Sequence, residues 1–395
     1  MTFQRDFLTS LVSQGFGSAA VFATVVMIGA ALGPELQGSF SRIKTEIEFV
    51  ATLALIGLPQ SVFFYLSSGR LTLRSALAIT LVVALVALIL SIGYRFANGI
   101  DTVAYSIVFA LASVFFTAHS MLRVILLARA SVITFAFATA TPQVLLFLFS
   151  CVAILFGALP TIASTSMLGA AFLIGSAFTL WKICITPSVA IAHWLGNVGA
   201  AEICRYSLAG GAAGILAAGA SLLMIKAVER SFGSTALGVM TMGLLLAQIV
   251  ATPCNYAAPL LFKQLMGSAP NRAWMIAPLM WGGLAFAATA AGLQTLQLLA
   301  SPDRLQGYGA LFELKWPLAL TVAADVALRI SSPSVLALGQ PWLLLCAEIG
   351  RIGLLAGGLA AGIVVSVLHA IWLWCAASMF AALILLLLIA SKVRS

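Results

Sequence analysis

The chain has 395 residues, of which 62% are hydrophobic and 8% charged, and its mean hydropathy is +1.13. A soluble globular protein carries roughly 25% charged residues, so this balance excludes a soluble domain and places the chain in a lipid bilayer. The net charge of +9, from 20 Lys and Arg against 11 Asp and Glu, is therefore read as a loop-orientation signal and not as a nucleic-acid-binding one.

Apolar stretches of some twenty residues recur about every thirty, each long enough to cross a hydrocarbon core of about 30 Å as a helix. An open sheet would leave backbone groups unpaired in lipid, and the runs do not alternate as barrel strands must. The predicted fold is all-α and polytopic. About 12 transmembrane helices cover 7–32, 43–66, 75–96, 102–127, 133–159, 161–185, 206–227, 236–262, 273–299, 311–330, 342–365 and 369–390.

The first span follows only Arg5 and Asp6, lacks a small-residue cleavage site and is read as a retained helix. Its Ser10, Ser13, Gln14, Gly17, Ser18 and Thr24 serve either close packing or hinge action. The second span opens with Arg42, Lys44, Glu46 and Glu48. The pairs Arg42/Glu46 and Lys44/Glu48 each stand four apart. They are candidates either for a substrate pathway or for solvated outer-end salt bridges. Gln60 closes this span.

The fourth span carries His119 and Arg123. Between the sixth and seventh spans lies the longest break, Pro187 to Glu202, with Trp194 at headgroup level. Lys226 and Arg230 end the seventh span. The eighth bears Thr241, Gln248, Thr252, Asn255 and Tyr256 on one face. Such a polar stripe faces either a cavity or interhelical hydrogen bonds.

The tenth span carries Asp325 and Arg329, four apart. Ionisable groups at membrane depth cost at least about 2.5 kcal/mol on insertion scales and face a bundle interior or water. Asp325 is either a proton or cation site or half of an ion pair with Arg329, and His119 belongs to the same ion-coupling set. Glu348 and Arg351, three apart in the eleventh span, are read as structural. The six cysteines contain no CxxC pair and the three histidines no ligand spacing, so neither metal nor cofactor is expected.

With both termini in the cytoplasm, thirteen Lys and Arg fall on the inner side and seven on the outer. An offset of about 195 residues lays Gly38 on Gly233, Gln60 on Asn255 and Glu46 on Thr241. The chain then divides into an N-terminal six-helix lobe (1–186), a cytoplasmic linker (187–203) and a C-terminal six-helix lobe (204–395). The lobes are parallel repeats, because an even number of spans returns the chain to the same side.

The run Leu32-Gly33-Pro34-Glu35-Leu36-Gln37-Gly38-Ser39-Phe40, then Gly57-Leu58-Pro59-Gln60-Ser61, a basic loop with Arg70 and Arg74, and Pro333 to Gln340 together resemble the polysaccharide and O-antigen flippases. These belong to the multidrug/oligosaccharidyl-lipid/polysaccharide exporter superfamily, and the likeness covers essentially the whole chain. Where such flippases carry a basic residue before the Leu-Gly-Pro turn, this chain has Gly29-Ala30-Ala31, so no cation is carried over there.

The resemblance implies a V-shaped cavity between lobes, an undecaprenyl-diphosphate-linked sugar as cargo, and alternating access driven by a proton or sodium gradient in the inner membrane. The implied partners are the lipid-linked oligosaccharide, membrane lipids, a polysaccharide polymerase and glycosyltransferases. Such a cargo wants cations near its diphosphate and hydrogen-bonding side chains near its sugars. Arg42, Lys44, Arg123, Lys226 and Arg230 suit the first, and Gln60, Gln248, Asn255 and Tyr256 the second. An ion-coupled multidrug antiporter of the same superfamily is the alternative. A membrane polymerase or acyltransferase is disfavoured by the short loops.

Overall fold

The computed structural model describes residues 2–99, 102–156, 161–186, 198–265, 273–299, 308–338, 340 and 342–394. Among them are eleven α-helices and one 3-10 turn, and no strand. In chain order these are α1 (Thr2–Leu55), α2 (Leu58–Ser67), α3 (Leu73–Ala97), α4 (Val103–Arg129), α5 (Val132–Leu155) and α6 (Thr161–Ile185). Then come α7 (Ala200–Leu265), α8 (Ala273–Leu299), the turn Gly309–Phe312, α9 (Lys315–Ala337), α10 (Trp342–Ala360) and α11 (Val367–Arg394).

Ten described helices are long and apolar enough to cross a membrane, and two of them, Gly15–Leu55 with 41 residues and Gly210–Cys254 with 45, have length for two crossings each. The expected dozen spans is thus accommodated. The polar breaks predicted after the first and seventh spans are not loops but single-residue kinks. Gly33 (φ 80°, ψ 174°) and Gly233 (φ 83°, ψ 172°) interrupt α1 and α7 in nearly the same conformation, one essentially closed to residues with a Cβ. Pro34 follows at the first position of the new helical segment, where its missing N–H is tolerated.

These kinks correct the register of the repeat. Gly33 answers to Gly233, so the offset is 200 residues and not about 195. Gly38 then falls on Gly238 and Thr52 on Thr252. Thr52 Oγ1 donates to the Glu48 carbonyl at 2.7 Å, and Thr252 Oγ1 donates to the Gln248 carbonyl at 3.0 Å.

Two other boundaries move. The second span breaks at Ile56 (φ 41°) and Gly57 (φ 71°) before α2 restarts with Pro59 in its first turn. The tenth runs to Ala337 with Pro333 inside it, so the segment expected after that helix begins within it. Hydroxyl caps start the intervening helices: Thr72, Thr102 and Ser131 accept from the backbone N–H of Ser75, Tyr105 and Thr134.

The helices form two compact units. The N-terminal unit comprises Leu8–Thr24 with Ile43–Ala218, and the C-terminal unit comprises Met1–Phe7 and Val25–Arg42 with Gly219–Ser395. In the first, Val62, Leu66, Met121, Ile125, Leu126 and Ile183 pack α2, α4 and α6 together. In the second, Leu328, Val335, Ala347, Leu385 and Ile389 join α9, α10 and α11.

The most enclosed spans are α4, with 50% of its crossing window buried, and α9, with 72%, against 22% to 44% for the others described. The cost of charge in lipid explains why His119 and Arg123 ride on the first and Asp325 and Arg329 on the second. By contrast α3 turns Leu81, Leu85, Ile89, Ile92 and Phe96 outward, an apolar face that suits lipid. All six cysteines are free thiols. Cys254 and Cys375 are buried, whereas Cys184, Cys204 and Cys346 are exposed.

Candidate functional site

A cavity of about 220 Å³ lies inside the N-terminal unit, walled by α1, α4, α5 and α6. Lys44 and Glu48 line it from α1, His119, Ser120 and Arg123 from α4, and Gln143 from α5, while Phe116, Leu146, Leu168 and Phe172 supply the apolar wall. Lys44 Nζ and Glu48 Oε1 form the expected pair at 2.7 Å, each side chain a little over a third exposed.

His119 is only 4% exposed and packs against Phe172, ring centroids 5.7 Å apart. Its Nδ1 is buried and has no hydrogen-bond partner. The hydroxyl hydrogens nearby are committed: Ser120 donates to the Phe116 carbonyl at 2.9 Å, and Thr139 to the Phe135 carbonyl at 2.9 Å. Two cations and one carboxylate therefore line a pocket whose walls are otherwise largely apolar. Lys44 and Arg123, read from sequence as substrate-binding, and His119, read as ion-coupling, come together here.

The other candidates lie elsewhere. Within the C-terminal unit Arg42 has an ion-pair partner from distant sequence. Its Nη1 reaches Glu229 Oε1 at 3.1 Å, while Glu46 is buried at 6% exposure. In the same unit as Arg42, Tyr308 donates a short hydrogen bond to the buried Gln37 Oε1. Burial pushes the Tyr308 phenol up to about 12.

Lys226 is half-buried and Arg230 exposed on α7. Farther along that helix Thr241 is buried and its hydroxyl donates to the Gly238 carbonyl at 3.2 Å, whereas Gln248 is exposed. The hydroxyls of Thr241 and Thr252 are thus satisfied by their own helix. The side chains of Asn255 and Tyr256 lie outside the described residues, as do His193, Trp194 and Asn197. Gln60 sits exposed at α2 of the N-terminal unit, its Oε1 close to Gly210.

Asp325 meets a cation of a neighbouring helix. Asp325 Oδ1 faces Arg351 Nη1 of α10 at 3.9 Å, and Arg351 Nη2 meets Glu348 Oε2 at 2.8 Å. Arg351, read as merely structural, is 7% exposed and stands between two carboxylates.

Three partners escaped sequence reasoning: Glu229, Gln143 and Glu202. Arg70 forms a fork with Glu202 through Nη1 to Oε1 at 2.9 Å and Nη2 to Oε2 at 3.0 Å, and Tyr65 donates to the same carboxylate at 3.3 Å. The available signals were an acid opening the α7 sequence and a lone Gln following Pro142 in an apolar run. No group of three His, Cys, Asp or Glu placed to hold a metal occurs among the described residues.

Long apolar helices in two units define an all-α polytopic membrane fold. No protein-family model and no curated protein matches the sequence. Solved structures do. One is a multidrug resistance MATE family transporter of the MOP superfamily in its inward-facing conformation, at TM-score 0.69 and 12% identity, covering 98% of each chain.

A second is a MOP superfamily transporter from Pyrococcus furiosus whose reversed binding-pocket polarity suggests a different function for it, at TM-score 0.64, 13% identity, and 98% and 94% coverage. A third is the MATE multidrug transporter DinF-BH in a ligand complex, at TM-score 0.65, 15% identity, and 99% and 95% coverage. At such identities the likeness is one of fold, and the chain has the fold of MATE transporters of the MOP superfamily.

Proposed function

We propose that this chain flips a polyprenyl-diphosphate-linked oligosaccharide across the cytoplasmic membrane by alternating access, both termini facing the cytoplasm. The observation that carries the reading is the basic cavity of the N-terminal unit, lined by Lys44 and Arg123 against the single carboxylate of Glu48. A diphosphate entering a bilayer protein gives up its water, and charge-assisted hydrogen bonds from Lys and Arg offset that loss. Arg42, Lys226 and Arg230 extend the supply of cations, and Gln60, Thr241, Gln248, Thr252, Asn255 and Tyr256 are assigned to the sugar. Asp325, beside Arg351 and Glu348, is assigned to the coupling cation, proton or sodium, with Arg329 and His119. Glycosyltransferases would supply the cargo and a polymerase would consume it.

The test is a deletion strain. Loss of this protein should leave lipid-linked oligosaccharide on the inner leaflet and strip the cell of the corresponding surface glycan. Normal glycan in a strain with no redundant transporter would contradict the reading.

A second reading, an ion-coupled multidrug antiporter, is favoured by the solved neighbours, one of which is a multidrug transporter held with a ligand. It calls for an acidic, aromatic pocket, and its discriminating experiment is dye export from vesicles. Asp325→Asn should abolish export of cationic dyes under that reading and leave no dye transport to abolish under the first.

A further inference from the structure

The geometry points to one end of the N-terminal unit as a site for an anionic phospholipid of the surrounding bilayer, its head group held by Lys182 and Arg129 and its chains laid along α6. The inference goes beyond the proposed cargo and does not rest on it.

At that end α2, α4 and α6 finish and α3 and α7 begin. Leu71, Leu126, Ile183 and Ile203 belong to one packed cluster there, and the Val198 N–H donates to the Arg70 carbonyl at 3.2 Å, so the helix ends form one rim. The rim carries Arg70, Arg74, Arg129, Lys182 and Arg205. Glu202 is its one acid among the described residues, and Arg70 and Tyr65 already hold that carboxylate. The other four cations meet no carboxylate among the described residues. Such an excess of positive charge at a membrane surface attracts anionic head groups.

Two of these cations are fixed around a single helix turn. The Lys182 ammonium lies over the exposed Trp181 ring, 4.3 Å from its centroid, and 5.5 Å from that of Phe178. The Arg129 guanidinium reaches across from α4 and donates to the Ile183 and Thr186 carbonyls at 3.5 and 3.4 Å. A guanidinium has further N–H groups to offer a phosphate beyond these two. The C-terminal end of a helix by itself disfavours an anion, with a partial charge of about −0.5, and two full positive charges outweigh it.

From this turn an apolar stripe runs back along α6. Leu173, Ile174, Leu180, Trp181 and Ile185 are all exposed, at spacings of seven and four that keep them on one face. The indole of Trp181 stands where the charged turn meets the stripe, the place tryptophan favours at a membrane interface. A ligand with an anionic head and long apolar tails matches both features. A soluble anion matches only the first.

The test is tryptophan quenching in full-length protein reconstituted into phosphatidylcholine bilayers. Phosphatidylglycerol or phosphatidylcholine, each brominated in its acyl chains near the head group, is added at increasing mole fraction. The signal of Trp181 is the difference between wild type and Trp181→Phe. A cation near an anionic surface is worth about a fivefold preference. Wild type should therefore favour phosphatidylglycerol roughly tenfold or more, and Lys182→Met should lose about fivefold of that. Lys182→Met with Arg129→Met should show no preference. Arg74→Met and Arg205→Met, whose side chains are exposed and screened by salt, should each change it by less than about twofold.

If Arg129→Met does not fold, Lys182→Met alone decides the outcome. Equal quenching by the two lipids, or a preference untouched by Lys182→Met, would overturn the site. So would a loss in Arg74→Met and Arg205→Met as large as in Lys182→Met, which would mark diffuse surface charge. Quenching by neither lipid would place protein over Trp181 and overturn the site. Displacement of phosphatidylglycerol by polyprenyl diphosphate at far lower mole fraction would give this face to the cargo and overturn it as well.

Discussion

Gly38 and Gly238 hold equivalent places in the two halves of the chain, and each lays its bare backbone against the kink of the other half. A methyl group on Gly38 would strike the Ser234 carbonyl, and one on Gly238 would strike the Pro34 carbonyl. The contact is reciprocal, as a two-fold relation between repeats requires. It is also a place where small residues let helix backbones meet in lipid.

Gly38→Ala and Gly238→Ala should therefore each force the two kinked segments apart and destabilise the protein by about 1–3 kcal/mol, the usual range for overpacking. Gly283→Ala, which meets nothing within 4 Å, should be neutral or gain up to about 1 kcal/mol from helix propensity. Thermal unfolding of the detergent-solubilised protein, read by thiol-reactive dye, checks both.

The pair of Arg42 and Glu229 lies at 3.1 Å with side chains 35% and 19% exposed, so solvent screens much of its energy and about 0.2–1 kcal/mol is expected. Its test is specificity of pairing. Arg42→Glu and Glu229→Arg should each lower stability, and the double reversal should recover most of the loss in a double-mutant cycle. Strict additivity would deny the contact.

Arg351 compensates two carboxylates at once. Arg351→Met should cost about 3–5 kcal/mol, the usual range when one partner of a buried ion pair is removed. Asp325→Asn should cost less, because Glu348 still meets Arg351 at 2.8 Å. Equal losses from the two variants in a chemical denaturation series would contradict this arrangement.

Tyr308 gives a pH signature. Burial raises its phenol from 10.0 to about 12, which favours the neutral form in the folded state. The stability it contributes is complete below pH 10 and is lost as pH rises from 10 towards about 12. Absorbance titration at alkaline pH should show one late-ionising tyrosine that Tyr308→Phe removes.

Hydrophobic periodicity made the fold class legible, because a run of twenty apolar residues has one stable solution in lipid. The pair Lys44/Glu48 was equally legible, since residues four apart on a helix are neighbours whatever surrounds them. Arg42 and Asp325 have further partners that this rule does not reach. Both chose partners 187 and 26 residues away in sequence, Glu229 and Arg351, and only tertiary packing sets those distances. The kinks at Gly33 and Gly233 were visible as polar breaks, but their backbone conformation, which fixes the repeat register, was not. Gln143 carries no pattern around it, and its place in the cavity depends on how α5 rotates against α4.

Translocation itself is the most direct test. Purified protein reconstituted into liposomes with a fluorescent polyprenyl-diphosphate oligosaccharide on one leaflet should move it to the other faster than protein-free vesicles do. Lys44→Met with Arg123→Met should slow that movement at least tenfold while the protein remains folded. Movement no faster than in empty vesicles, with an imposed proton or sodium gradient present, would contradict the account.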